Sequence, residues 1–354
     1  MAAVGHMAMN HRLPNKILLF AGATLTTAPV FVYEWLPDSG FGTRLSDGGN
    51  TTGQNGIDTM ASTSDGNFLG AASGSSPYIH LFSISKDGIG TKFANPSSLP
   101  QGAGRQVNFT PRGDTIGLGH ATSPYISAYP VSSSGFGTRY ANPSTLINAT
   151  SSAAAWTPAG NEIAVSMGNA PRYSIYNWSS TGFGTRQTNS YSESSFAPYA
   201  ALWSSDGSKM ISTTGTAGLY GPVILTHSVG NGFSSLGTAA SQISGGGYGS
   251  RMNLKENAVV IGHSTTPYMS AYQWSNSSGF GTKYANPATL LTNYASTLCF
   301  TPSGTDVVGA VTMNPPGVAA YKWTDAGGFG TKYSNPASTT GQNTRGAVLQ
   351  PFYQ

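Results

Sequence analysis

The sequence predicts an all-β protein: a single seven-bladed β-propeller of four-stranded antiparallel blades, its ring closed three-plus-one by the N- and C-terminal segments. Three observations predict it. One phrase, clearest as GFGTKYANPATLL at 279–291, keeps returning along the chain. Its opening glycine stands at Gly40, Gly88, Gly135, Gly182, Gly232, Gly279 and Gly328, at intervals of 48, 47, 47, 50, 47 and 49 residues. A period of that size, sustained, marks a propeller, solenoid or array. Each interval then holds four short apolar stretches separated by turn signals, and the two chain ends match complementary parts of one unit.

The elements can be taken in order along the third unit, 104–143. Gln106 to Thr110 alternates and runs into Thr-Pro-Arg-Gly-Asp, a turn in which Pro presets one dihedral and Gly accepts positive φ. Thr115 to His120 is a second short strand. Ser123-Pro124-Tyr125 interrupts it, because Pro cannot donate to a sheet ladder. Tyr125 to Val131 is the third strand, and Gly135 to Tyr140 opens the fourth. The Asn-Pro that follows stops it.

The same parts recur on schedule. Pro29, Pro77, Pro124, Pro171, Pro222, Pro267 and Pro316 precede the third strand of successive units. That strand repeats an aromatic two residues before a bulky apolar side chain: Tyr33/Trp35, Phe82/Ile84, Tyr129/Val131, Tyr176/Trp178, Tyr272/Trp274 and Tyr321/Trp323. Residues i and i+2 share a strand face, so each sheet carries a ridge that a neighbouring sheet must cover. The basic residue of the phrase, at Arg44, Lys92, Arg139, Arg186, Lys283 and Lys332, suits an outermost strand, where a charge blocks edge-to-edge pairing.

The ends predict how the ring closes. NKILLFAGATLTTAPVFVYEW aligns with GDTIGLGHATSPYISAYPV, so residues 15–48 supply three strands of a blade. GAVLQPFYQ aligns with RQVNFTPRG, so 345–354 supply the fourth. The propeller is thus expected over 15–354, with 1–14 as a flexible arm. The apolar run ILLFAGATLTTA imitates a signal peptide but is needed as a strand.

Composition limits the function. Charged residues are only 8% of the chain and the net charge of +4 is dispersed, which argues against nucleic acid. No apolar run is long enough for a membrane helix. The single cysteine, Cys299, excludes an internal disulfide framework and reads as a packed thiol. His120 and His263 fall at equivalent positions in units too far apart to share an ion, and His80 and His227 stand alone in third strands. Asp65, Asp114 and Asp206 belong to hairpin turns. No G-x-S-x-G or H-E-x-x-H is present. The sequence therefore predicts no catalytic residue, metal or cofactor; a lactonase-type propeller is the enzyme alternative.

The units, of the form FTPSG…SPY…AYxW…SGFGTKYANP, resemble the WD-repeat-like propellers of tailed-bacteriophage virion proteins. The resemblance covers residue 15 to the C-terminus, and GFGTRYANPSTL and GFGTKYANPATLL carry it best. It implies a non-enzymatic structural component of the virion, in tail, fibre or capsid surface, present in several copies and contacting other virion proteins. A propeller binding a host-surface glycan or receptor is the alternative.

Two sets of residues are candidates for contact. Tyr78, Tyr125, Tyr173 and Tyr268 follow the third-strand proline, as sugar-stacking platforms or as packing at a strand start. Unit five breaks the pattern: GFSSLGT lacks the basic residue, and SGGGYGS follows at 244–250. An outer wall facing a partner would shed such a charge, so Phe233, Ser234, Ser235, Leu236 and Tyr248 are expected at a partner surface.

Overall fold

A computed structural model describes residues 14–24, 30–47, 49, 51, 56–189, 198–214, 222–238, 243, 245–311, 316–338 and 343–353. It contains seven four-stranded antiparallel sheets, with no helix among the described residues. The expected arm over 1–14 lies outside the described residues apart from Pro14.

Blade 1 is the split one: Thr344–Phe352 is its innermost strand, followed outward by Lys16–Ala23, Val30–Leu36 and Gly40–Leu45. The other six blades take their strands in chain order. Their innermost strands are Ile57–Ser62, Gly104–Phe109, Ala154–Trp156, Pro198–Trp203, Gly247–Met252 and Ala295–Phe300. The three-plus-one closure holds, but its register sits one residue from the expected alignment. Gly346 faces Gly22, which faces Val30; Gln106 faces Gly119, which faces Ile126. Gly346 therefore matches Gln106 rather than Arg105. The physical marker is the turn proline: Gln350-Pro351 coincides with Thr110-Pro111.

The core lies between blades, where the aromatic ridges predicted it. Each of seven apolar clusters joins two neighbouring blades. Between blades 1 and 7, for example, Tyr33 and Trp35 pack with Val308 and Ala320.

The recurring phrase is the fastener of that core. Gly182 opens the outer strand of blade 4 at φ +102°, and a Cβ there would lie 2.9 Å from the ring of Tyr140, the aromatic of the preceding blade's phrase. Phe93, Tyr284 and Tyr333 cover Gly135, Gly328 and Gly40 in the same way. The next residues of the phrase are bound too. The buried third-strand tyrosines donate their hydroxyls to the preceding blade's carbonyls: Tyr129 to Ser98 (2.8 Å), Tyr176 to Thr145 (2.7 Å), Tyr321 to Thr289 (2.8 Å) and Tyr33 to Ser338 (2.7 Å). Each acceptor stands two residues past the proline of Asn-Pro-x-x. Glycine, aromatic and Asn-Pro are thus three parts of one inter-blade lock.

The lock changes at blades 4 and 5. Gln187 stands where the aromatic belongs; its Oε1 accepts the Gly232 N–H (2.8 Å) and its Nε2 donates to Glu162 and to Asn177 Oδ1 (2.8 Å). Glu162 also accepts the Gly230 N–H (2.9 Å) and faces His227 Nε2 at 3.0 Å, both side chains being fully enclosed. Unit four is therefore irregular as well as unit five. The two irregularities answer each other.

Candidate functional site

The innermost strands carry a feature that turns side chains toward the channel. In six blades their pairing skips at the start of the strand, a β-bulge. The unpaired residues are Asp58, Arg105, Tyr199, Ser296 and Arg345, with Tyr248 and Gly249 in blade 6. A bulge re-aims a side chain and is enriched beside active sites. In blade 4, which has no skip, Ser166 Oγ accepts the Ser152 and Ala153 N–H groups instead, at 2.8 and 2.7 Å.

These residues meet across blade boundaries at the channel mouth on the side of the strand 2–3 connections. Arg345 Nη1 holds Asp58 Oδ1 at 2.7 Å, joining blades 1 and 2. Arg105 follows in blade 3, exposed and with no acidic partner among the described residues; its carbonyl accepts Thr59 Oγ1 at 3.1 Å. On the opposite side, Tyr248 sits edge-on to Tyr199 at 5.6 Å and stacks on Tyr294 at 4.7 Å. Burial, and then the two neighbouring tyrosines, raise the Tyr248 pKa, while Arg345 works against them. The mouth thus combines one carboxylate, two guanidiniums, hydroxyls and an aromatic wall, with a cationic balance. It can bind an anion, stack a ring and offer a carboxylate base.

The sequence-derived candidates divide. Tyr248 belongs to this mouth. Phe233 is buried between blades 4 and 5, stacked on Trp203 at 5.8 Å, and offers nothing to a partner. Ser234 is exposed, whereas the side chains of Ser235 and Leu236 lie outside the described residues. Tyr78, Tyr125 and Tyr268 are half-buried at φ +69°, +67° and +70° and pack against inter-blade clusters. Tyr173 is not their equivalent. Arg172 takes that position, at φ +72°, and Tyr173 is fully buried in blade 4 with its hydroxyl on Ser212 at 2.7 Å.

The remaining titratable groups serve packing. His120 Nε2 meets Ser127 Oγ at 3.1 Å, and His263 meets Ser270 at 3.0 Å. His80 makes the same cross-strand pair with the partners exchanged, to Ser73 at 3.2 Å. Burial pushes all three histidines down to about 4, so they are neutral at pH 7. Cys299 is buried, which raises its pKa, and its thiol reaches the Ala347 carbonyl. Among the described residues no three His, Cys, Asp or Glu side chains gather as a metal site.

No family model matches the chain, and no curated protein does. Solved structures match closely in shape. A putative 6-phosphogluconolactonase from Bacteroides fragilis superposes with a TM-score of 0.76 at 11% identity, covering 94% of this chain and 98% of that one. One from Bacteroides uniformis gives 0.70 at 12%, covering 94% and 99%. A periplasmic gluconolactonase from Pseudomonas aeruginosa gives 0.69 at 11%, again covering 94% and 99%. At such identities the likeness establishes the fold, a complete seven-bladed ring.

It also corrects the functional expectation. The chain was expected to be a non-enzymatic virion component because its repeat units resemble those of tailed-bacteriophage propellers. Three proteins that share the ring over its whole length carry lactonase names, and none of those three is a virion protein. The residues of the mouth come from first strands of different blades and are brought together only by the ring.

Proposed function

We propose that the chain is a hydrolase opening an anionic sugar lactone at the channel mouth. The observation that carries this reading is the set of first-strand bulges that brings Asp58, Arg105 and Arg345 to one rim. Lactone opening needs a base for water and positive charge for the developing oxyanion. Asp58 supplies the base: it takes a proton from water as the oxygen attacks the lactone carbonyl, then returns it to the ring oxygen that leaves. Arg345, bonded to Asp58 through Oδ1, orients the carboxylate. Arg105, with no counter-ion among the described residues, is placed to hold the substrate's anionic group or the oxyanion. The names of the structural neighbours support a sugar lactone as the substrate class.

The test is opening of 6-phosphogluconolactone and gluconolactone by the purified protein, followed above the spontaneous rate. Asp58→Asn should lower kcat by about 10²–10⁴-fold with the melting temperature unchanged. A wild-type protein that adds nothing to the spontaneous rate for either lactone would overturn the proposal, as would an Asp58→Asn variant of full activity.

A further inference from the structure

We infer that the opposite end of the channel is a separate binding site for a small apolar monocarboxylate. This end opens toward the turns between first and second strands, where a cavity of about 320 Å³ lies against blades 6, 7, 1, 2 and 3. Its walls are mixed, only slightly more apolar than polar, the apolar part coming from Phe300, Val348, Leu349 and Pro351 with Leu254 and Tyr353. Leu254 and Tyr353 are 58% and 50% exposed.

Among the described residues one charged side chain lines this cavity, Arg251. It pairs with no carboxylate among the described residues, and its side chain lies beside the Cys299 thiol. A cation beside an apolar stretch of wall favours a ligand with one anionic head and an apolar body, because head and body are satisfied together. The volume lies near the lower end of small-molecule sites, roughly 300–1,000 Å³, which suits a single ring or a short alkyl chain. Ser62, Asn108 and Thr301 are the main other polar side chains in the lining, and Asn108 Oδ1 already accepts the Phe109 N–H at 3.0 Å.

The site is distinct from the catalytic mouth. Arg251 lies three residues beyond Tyr248 on the same strand, about 10 Å along the channel at roughly 3.3 Å per residue.

Calorimetric titration of the full chain with phenylpropionate, and with phenylpropanol as its neutral counterpart, tests the inference. The acid should bind about tenfold to a hundredfold tighter than the alcohol, the discrimination of one charge-assisted contact. Arg251→Met should reduce the acid to the alcohol's affinity, since Arg251 is exposed and its replacement leaves the core intact. Asp58→Asn should leave acid binding unchanged whether or not the mouth is catalytic. Equal affinities, no binding of either probe, acid binding that survives Arg251→Met, or acid binding lost in Asp58→Asn would each overturn it.

Discussion

The outer wall and the channel mouth are built from the same repeat, yet they treat it in opposite ways. On the wall, the glycine, the aromatic and the Asn-Pro of the phrase recur because every blade must grip the one before it. At the mouth, the equivalent position holds Arg345, Asp58, Arg105, Tyr199, Tyr248 and Ser296, with hardly two neighbours alike. Positions constrained by the seven-fold ring repeat, and positions freed from pairing by a bulge diversify. Function in such a ring is read where the repeat disagrees with itself.

That contrast predicts that substitutions at repeated positions change stability and leave the mouth's chemistry alone. The largest effect belongs to the buried His–Ser pairs of blades 2, 3 and 6. His80, His120 and His263 have folded pKa values pushed down to about 4 from 6.5 by burial. The unfolded chain therefore binds more protons between pH 6.5 and 4. Their contribution is complete above 6.5 and is lost as pH falls toward 4, by up to roughly 3 kcal/mol per histidine. Chemical denaturation across that window should show the midpoint falling steadily. A midpoint that holds until the carboxylates titrate would show that these imidazoles are not the acid-sensitive groups.

A smaller effect tests the lock itself. Gly182→Ala places a methyl group at φ +102° and against the Tyr140 ring, which must shift. Backbone strain and displaced packing together should cost about 2–4 kcal/mol. Lactone opening, if present, should survive in the folded fraction. Wild-type stability in this variant would mean that the ring of Tyr140 yields freely and the lock is not tight.

The sequence made the scaffold legible because periodicity and turn residues are local signals repeated often enough to be unmistakable. Blade number, strand order and closure all came from them. What stayed hidden depends on spacing finer than the repeat. Arg172 replaces the tyrosine that follows the proline in other blades, and Tyr173 stands at the buried position that Ile126 holds in blade 3. The closing strand was misaligned by one residue because Gln350-Pro351 disguises Thr-Pro. Glu162 and Gln187 lie in ordinary-looking positions, and their buried network with His227 and Gly232 exists only across a blade boundary. The mouth was missed for the same reason: a bulge has no sequence signature here, since Asp58, Arg105 and Tyr199 share no chemistry.

The smallest expected change in stability is also the sharpest test of the contrast, because it separates a strut from a working group. Arg345 links blade 1 to blade 2 through Asp58, so it could serve the ring as Tyr140 does. Two observations argue otherwise. The pair is partly exposed, with side-chain exposures of 45% and 17%, and such pairs contribute only about 0–1 kcal/mol. The blades it joins are already held by an apolar cluster containing Phe20, Val32, Leu69 and Phe82. Arg345→Gln should therefore shift the denaturation midpoint by less than about 1 kcal/mol. Its effect on lactone opening should be large, since Asp58 loses its orienting partner and the mouth loses a positive charge. The replacement should lower kcat more than it raises KM if Arg345 positions the base, and mainly raise KM if it holds the substrate's anion. An unstable variant with full activity per folded molecule would reverse the assignment, placing Arg345 with the wall rather than with the mouth.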